Sequence, residues 1–172
     1  MRHHADKYKI DPKRIGGYGY SAGGHLVSLL ATTTSSDGLE GEIPDELKTY
    51  SSHISAAAIG GAPCEFDWVG SVTLRYWIGA TKNAKPDLYK KAAPLTYVDA
   101  NDPPFYIYHG SDDALVPKSS TIKMHGKLSL VGVPSTYREV VGKGHFWTFS
   151  DFKYLEESVD FFDKQFKMKT KK

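Results

Sequence analysis

The sequence predicts an α/β chain: a mostly parallel sheet of about four strands flanked by helices. Three observations carry this. Short apolar runs such as Ile54-Ser55-Ala56-Ala57-Ala58-Ile59-Gly60 have the length and continuous apolarity of strands covered on both faces. Stretches of helical period separate and follow them, the last being Ser150 to Phe166 with Phe152, Leu155, Val159, Phe162 and Phe166 at helical spacing. Strand and helix patterns alternate, and parallel strands joined by crossovers carry their functional loops at the carboxyl ends of the strands.

In order along the chain, Met1 to Ile10 reads as the end of a helix that Asp11-Pro12 stops, because the residue before a proline is pushed out of the α region. Lys13 to Tyr20 is the first expected strand and Ala22 to Thr33 the helix after it. Ser35 to Ser52 is polar and rich in Gly, Pro and acids, a surface loop with a short turn expected at Asp45-Glu46-Leu47. The strand Ile54 to Gly60 leads into a turn at Gly61-Ala62-Pro63. Phe66 to Ala93 concentrates aromatics over one or two short helices, either as helix packing or as the wall of a pocket. Then come a strand over Pro103 to His109, a helix over Ser119 to Val131 and a strand over Ser135 to Val141. No internal repeat is visible.

At 172 residues, with 40% hydrophobic and 24% charged residues, the chain fits one domain over residues 1–172. A formal charge of +2 gives no argument for nucleic acid, and the lysines of Lys167-Met168-Lys169-Thr170-Lys171-Lys172 read as a solvated, frayed tail. The one cysteine, Cys64, excludes an internal disulfide and reads as packing. No stretch approaches a membrane span, and Met1-Arg2-His3-His4-Ala5-Asp6 lacks the apolar core of a signal peptide. A soluble chain of cytoplasmic or unresolved location is the expectation.

Spanning the junction of the first strand and its helix is Gly17-Tyr18-Gly19-Tyr20-Ser21-Ala22-Gly23-Gly24-His25. Gly19-Tyr20-Ser21-Ala22-Gly23 matches G-x-S-x-G, a sharp strand-to-helix turn that exposes the serine while its flanking glycines relieve crowding. The following helix aims its first free N–H groups at Ser21, so negative charge on a substrate oxygen would be stabilised there. Nucleotide-binding readings of these glycines fail on spacing. A G-x-G-x-x-G from Gly17 needs glycine where Ala22 stands, and no Gly-Lys-Ser/Thr occurs.

A serine nucleophile needs a base and a carboxylate that orients it. Gly110-Ser111-Asp112-Asp113-Ala114-Leu115-Val116-Pro117 follows a strand end and supplies Asp113 as the expected orienter, with Asp112 as the local alternative. Val141-Gly142-Lys143-Gly144-His145-Phe146-Trp147 supplies His145 as the expected base. The order Ser, Asp, His is that of one large hydrolase fold. Asp11-Pro12-Lys13-Arg14-Ile15, Gly-Tyr-Ser-Ala-Gly-Gly-His, His-Gly-x-x-Asp-x-x-Val-Pro and Gly-x-Gly-His together resemble the α/β-hydrolase fold, within it the esterase/lipase group that includes feruloyl and acetyl-xylan esterase-like enzymes. That resemblance implies hydrolysis of a small carboxylic ester through an acyl-enzyme, with Ser21 as nucleophile, His145 as base then acid, Asp113 as orienter and the backbone N–H of Ala22 as one oxyanion donor. A prolyl-oligopeptidase-like peptidase and a non-catalytic binding remnant are the rival readings. Tyr20, Trp68, Trp77 and Trp147 are the candidate pocket walls.

His25 resembles the histidine that packs under the elbow in this group, and His109 is expected to shape the acid-loop turn. His3, His4, His53 and His125 lack metal-ligand spacing, so neither metal nor cofactor is expected. The resemblance also marks a departure, since the group carries about half a sheet before the elbow, including a loop that gives the second oxyanion N–H. Without it the strand Lys13 to Tyr20 is an uncovered edge, and the expectation is either a fragment or a homodimer or higher oligomer. The second oxyanion donor is expected from that interface or from near Gly60-Gly61.

Overall fold

Strand β1 spans Gly16–Tyr20 and runs straight into helix α2, Ala22–Thr32, with Ser21 as the joint. The computed structural model describes residues 1–68 and 72–167. The expectations for positions 69–71, inside the aromatic stretch, and 168–172 of the lysine tail lie outside the described residues. Strand β2 is Ala56–Gly60, β3 Phe105–Gly110 and β4 Ser135–Val140, and they form one four-stranded sheet in the order β1-β2-β3-β4 with all pairs parallel. Parallel neighbours need crossovers. Helix α2 supplies the first; α3 (Val72–Ile78) and α4 (Pro86–Ala92) the second; α5 (Ser119–Leu130) the third. After β4 come the short α6, His145–Phe149, and α7, Phe152–Gln165.

Alternation along the strands divides the core in two. Ala57, Ile59, Phe105 and Ile107 point to one face, where they meet Val27 and Ala31 of α2 and Met124 and Leu128 of α5. Ala58, Tyr106 and Tyr108 point to the other, against Tyr154, Phe161 and Phe162 of α7. Because both faces are covered, every residue of β2 and β3 is buried, which is why their sequences read as continuous apolar runs. Strands β1 and β4 are the edges and are partly exposed. The expected self-association concerns the outer edge of β1, which has no partner strand among the described residues. We propose that contact only as an expectation that sedimentation would decide, a purely monomeric protein removing it.

Several boundaries differ from the sequence reading for identifiable reasons. Strand β1 begins at Gly16 rather than Lys13, because the Asp11 carboxylate accepts the Lys13 N–H (2.8 Å) and the Arg14 Nε–H (2.7 Å) and holds those residues in a turn. The opening helix is broken into a 3₁₀ turn, Arg2–His4, and one α turn, α1, Ala5–Tyr8. Lys9 ends α1 in the left-handed region, φ 53°, ahead of Asp11-Pro12. Asp45–Leu47 forms its turn, and a second 3₁₀ turn sits at Ser35–Asp37. Helix α7 starts at Phe152, capped by the Asp151 carboxylate on the Lys153 N–H. Its inward face is Tyr154, Ser158, Phe161 and Phe162, whereas Phe152 and Val159 are more than half exposed. Of the apolar stripe read from the sequence, Phe162 faces the sheet while Phe152, Leu155 and Val159 are exposed, and tyrosines of β3 meet Tyr154, with the Tyr108 and Tyr154 rings stacked at 5.4 Å.

The loop before β3 carries a testable electrostatic strain. Burial pushes the Asp102 carboxyl up to about 7, against the pull of a hydrogen bond from the Asp99 N–H, while the Asp99 charge adds to the rise. The folded chain therefore holds a proton that the unfolded chain releases above about pH 4, so this group's contribution to stability declines as pH rises from about 4 to about 7. Asp102→Asn keeps an acceptor for Asp99 and removes the titration. Thermal melts should show the variant gaining stability over wild type at pH 8 and not at pH 4; an equal effect at both would contradict this.

Candidate active site

Ser21 sits at φ 54° and ψ −120°, a conformation that a non-glycine residue adopts only when its surroundings enforce it. Two bonds enforce it. The Ser21 N–H donates to the Gly60 carbonyl of β2 at 2.8 Å, and the Ser21 carbonyl accepts the His25 N–H at 3.0 Å, the first rung of α2. Strand and helix pass so closely that a Cβ on Gly19 would fall on the Gly23 carbonyl group, while a Cβ on Gly23 would meet nothing within 4 Å. The crowding that sequence reading placed at both glycines of the motif therefore falls on Gly19 and not on Gly23. Gly19→Ala should lower stability by about 2 kcal/mol or more, whereas Gly23→Ala, in a helix, should be neutral or gain up to about 1 kcal/mol. Thermal unfolding of the two variants checks the asymmetry; equal losses would contradict it.

The parallel register brings the carboxyl ends of β1, β3 and β4 to one edge of the sheet. From the turn after β3, Asp113 reaches His145, at the start of α6: Asp113 Oδ2 lies 2.6 Å from His145 Nδ1. Asp113 Oδ1 accepts the N–H groups of Leu115 and Val116, each at 2.9 Å, and Oδ2 also lies 3.2 Å from His109 Nε2. Burial alone would raise this carboxyl, yet the bonds from His109, His145 and Val116 outweigh it and hold Asp113 well below the usual carboxylate range. Asp112 is exposed and accepts the Ser111 hydroxyl at 2.6 Å. The geometry thus pairs Asp113, not Asp112, with His145.

Ser21, Ala22 and His145 line one cavity of about 540 Å³. Of the four candidate walls, Trp68 and Trp77 line it and Tyr20 and Trp147 do not. Trp147 is 75% exposed on α6, turned to solvent. Tyr20 lies behind the site: its hydroxyl donates to the His145 carbonyl at 2.7 Å and its ring packs 5.1 Å from the imidazole. Its side chain is thus a brace for His145 rather than a wall. Sequence reading missed Leu26, Pro63, Leu74 and Leu115 as walls, because single aliphatic residues in turns and short helices carry no local signal of a cavity. His25 is both wall and anchor, its Nε2 2.8 Å from the Ala92 carbonyl and its ring edge-to-face with Trp77 at 5.0 Å. Burial pushes its pKa down, which favours the neutral form.

The Ala22 N–H opens α2, where helix geometry leaves it without an intrahelical acceptor. Gly61 is unavailable as a second oxyanion donor, because its N–H donates to the Tyr108 carbonyl at 3.0 Å. Among the described residues no cluster of three or more His, Cys, Asp or Glu is arranged to hold a metal, and no helix is long and apolar enough to cross a membrane. Cys64 is fully buried, its thiol pushed up to about 12 by desolvation.

Parallel strands with a strained serine at the β1–α2 turn, and an Asp–His pair from the loops after β3 and β4, place the chain in the α/β-hydrolase fold. Residues 1–128 match the BD-FAE family model, and the chain belongs to that family. The match ends before β4 and His145. Esterase LipC of Mycobacterium tuberculosis H37Rv is 29% identical over 155 residues, 84% of this chain and 37% of that protein. A truncated carbohydrate esterase from gut microbiota superposes with a TM-score of 0.86 at 29% identity, covering 95% of this chain and 64% of that one. Apo esterase 2 of Thermogutta terrifontis gives 0.78 at 25%, covering 99% and 62%. The chain thus spans about a third of the curated relative's length and under two thirds of these solved structures.

Proposed function

We propose that the protein hydrolyses small carboxylic esters through an acyl-enzyme on Ser21. The single observation that carries this reading is the contact of Asp113 with His145 at 2.6 Å behind a cavity that Ser21 and His145 both line. Family membership and the esterase names of the relatives support it. In the first half-reaction Ser21 Oγ bonds to the ester carbonyl carbon as its proton passes to His145 Nε2; the alkoxide leaves and takes that proton as the alcohol. In the second, water gives a proton to His145 and bonds to the acyl carbon. The Ser21–acyl bond breaks, the proton returns to Ser21, and the acid departs. Asp113, acceptor of the Nδ1–H, keeps Nε2 unprotonated and steadies the imidazolium between these steps. The Ala22 N–H faces the developing oxyanion.

The apolar walls, Trp68, Trp77 and Leu115 among them, suit the acyl or aryl part of the substrate and, among the described residues, offer no charged anchor for a peptide terminus. Purified protein should therefore turn over aryl acetate and aryl butyrate and leave aminoacyl anilides intact. Cleavage of the anilides in preference to the esters would favour a peptidase, and absence of any turnover a binding protein.

A further inference from the structure

We propose that His109 is a positioning residue for this reaction: its Nε2–H holds the same Asp113 oxygen that binds the N–H of His145, and so sets how tightly that oxygen grips His145. The inference rests on the roles proposed above for Ser21, Asp113 and His145. His109 lies near the end of β3 and is fully buried. Its Nε2 is 2.9 Å from the Val116 carbonyl and 3.2 Å from Asp113 Oδ2. Both partners only accept, so Nε2 carries a hydrogen whatever the state of the other nitrogen. That other nitrogen, Nδ1, is 2.7 Å from the Thr121 hydroxyl of α5, which fixes the plane of the ring.

The His145 N–H at 2.6 Å and the single His109 Nε2–H, shared between the Val116 carbonyl at 2.9 Å and Oδ2 at 3.2 Å, therefore meet at one carboxylate oxygen. With Oδ1 occupied by two backbone N–H groups, all the acceptor capacity of Asp113 is engaged and its carboxylate cannot turn. A donor on Oδ2 spreads the negative charge that would otherwise act on His145 alone. His109 thus weakens the hold of Oδ2 on the Nδ1–H of His145. A histidine serving the core alone would be satisfied by Val116 and Thr121.

Other charged groups packed around this chain are engaged elsewhere. Lys118, before α5, pairs with Glu139 of β4 at 2.9 Å, and Lys143, before α6, with Asp151 at 2.7 Å. Asp112 takes the Ser111 hydroxyl, and the Tyr20 hydroxyl on β1 gives its hydrogen to the His145 carbonyl. None of these donates to Asp113 Oδ2 among the described contacts.

The test is the titration of His145, followed by NMR of ¹⁵N-labelled imidazoles, in wild type, His109→Leu, His109→Asn and His109→Gln. Loss of the donor in His109→Leu should raise the His145 midpoint by about one pH unit. His109→Asn, too short to reach Asp113 but polar enough for Thr121, should do the same should the leucine variant fail to fold. His109→Gln can return an N–H to the Nε2 position and should titrate near wild type. The acid limb of kcat/KM should move with the NMR midpoint. Unshifted midpoints in both donor-less variants, or an equal shift in His109→Gln, would overturn the inference. Wild-type protein without ester turnover would instead overturn the function reading alone, the NMR comparison still deciding the role of His109.

Discussion

Ser21→Ala should cut ester turnover by on the order of 10⁴-fold or more, with the fold and substrate binding intact. Alanine is as strained as serine at φ 54°, so the substitution neither relieves nor adds backbone energy, and the bond from residue 21 N–H to the Gly60 carbonyl needs no side chain. What disappears is the oxygen that forms the acyl bond. The residual rate would come from the oxyanion donor and substrate binding alone, while KM should change little because the cavity walls stay in place. Steady-state kinetics beside a circular dichroism spectrum of the variant separate chemical loss from unfolding. Activity within tenfold of wild type would show that another group attacks the ester.

The second large effect is expected at Asp113, and its cause can be followed atom by atom. In Asp113→Asn the amide oxygen must take the Oδ1 place, where the Leu115 and Val116 N–H groups both donate. The NH₂ group then occupies the Oδ2 place and confronts His145 Nδ1 and His109 Nε2, two nitrogens that present hydrogens in the native site. His145 escapes by moving its hydrogen to Nε2, and in that tautomer it cannot accept the proton of Ser21. A fall of about 10⁴ in kcat is the expected size of such a tautomer error. Asp112→Asn should stay within about threefold, since its partner, the Ser111 hydroxyl, can donate to an amide oxygen as well. The reverse ranking in kcat would transfer the orienting role to Asp112.

The pH profile follows from the same contacts. A protonated His145 has no lone pair for the serine proton, so kcat/KM should fall on the acid side as that group binds a proton. Asp113, held well below the usual carboxylate range, stays ionised throughout that fall, and its protonation adds no second step in mildly acidic solution. The acid limb should therefore have the slope of one proton.

How much of this could be read beforehand depended on where the signal lay. The turn at Ser21 was legible because a strand and a helix can meet that sharply only over glycines, and Asp113 and His145 because strand ends announce their loops. Those loops carry the pair now seen in contact. Tyr20 was misplaced as a wall because its direction depends on α6, a five-residue helix whose existence no periodicity reveals. Which residues of α7 face the sheet was hidden for a related reason. Its apolar residues outnumber one face, and only the large tyrosines of β3 decide that Tyr154 and Phe161 turn inward. The crowding at Gly19 rather than Gly23 likewise depends on where α2 crosses β1, a tertiary fact.

The measurement that bears most directly on the account is peptide mapping of protein quenched in acid during the first turnover with an aryl acetate. The account predicts an acetyl group on the peptide that contains Ser21, absent from Ser21→Ala and accumulating far more slowly in Asp113→Asn. Turnover of the ester with no acetylation at Ser21, or with the acetyl group on another residue that the reaction requires, would contradict it.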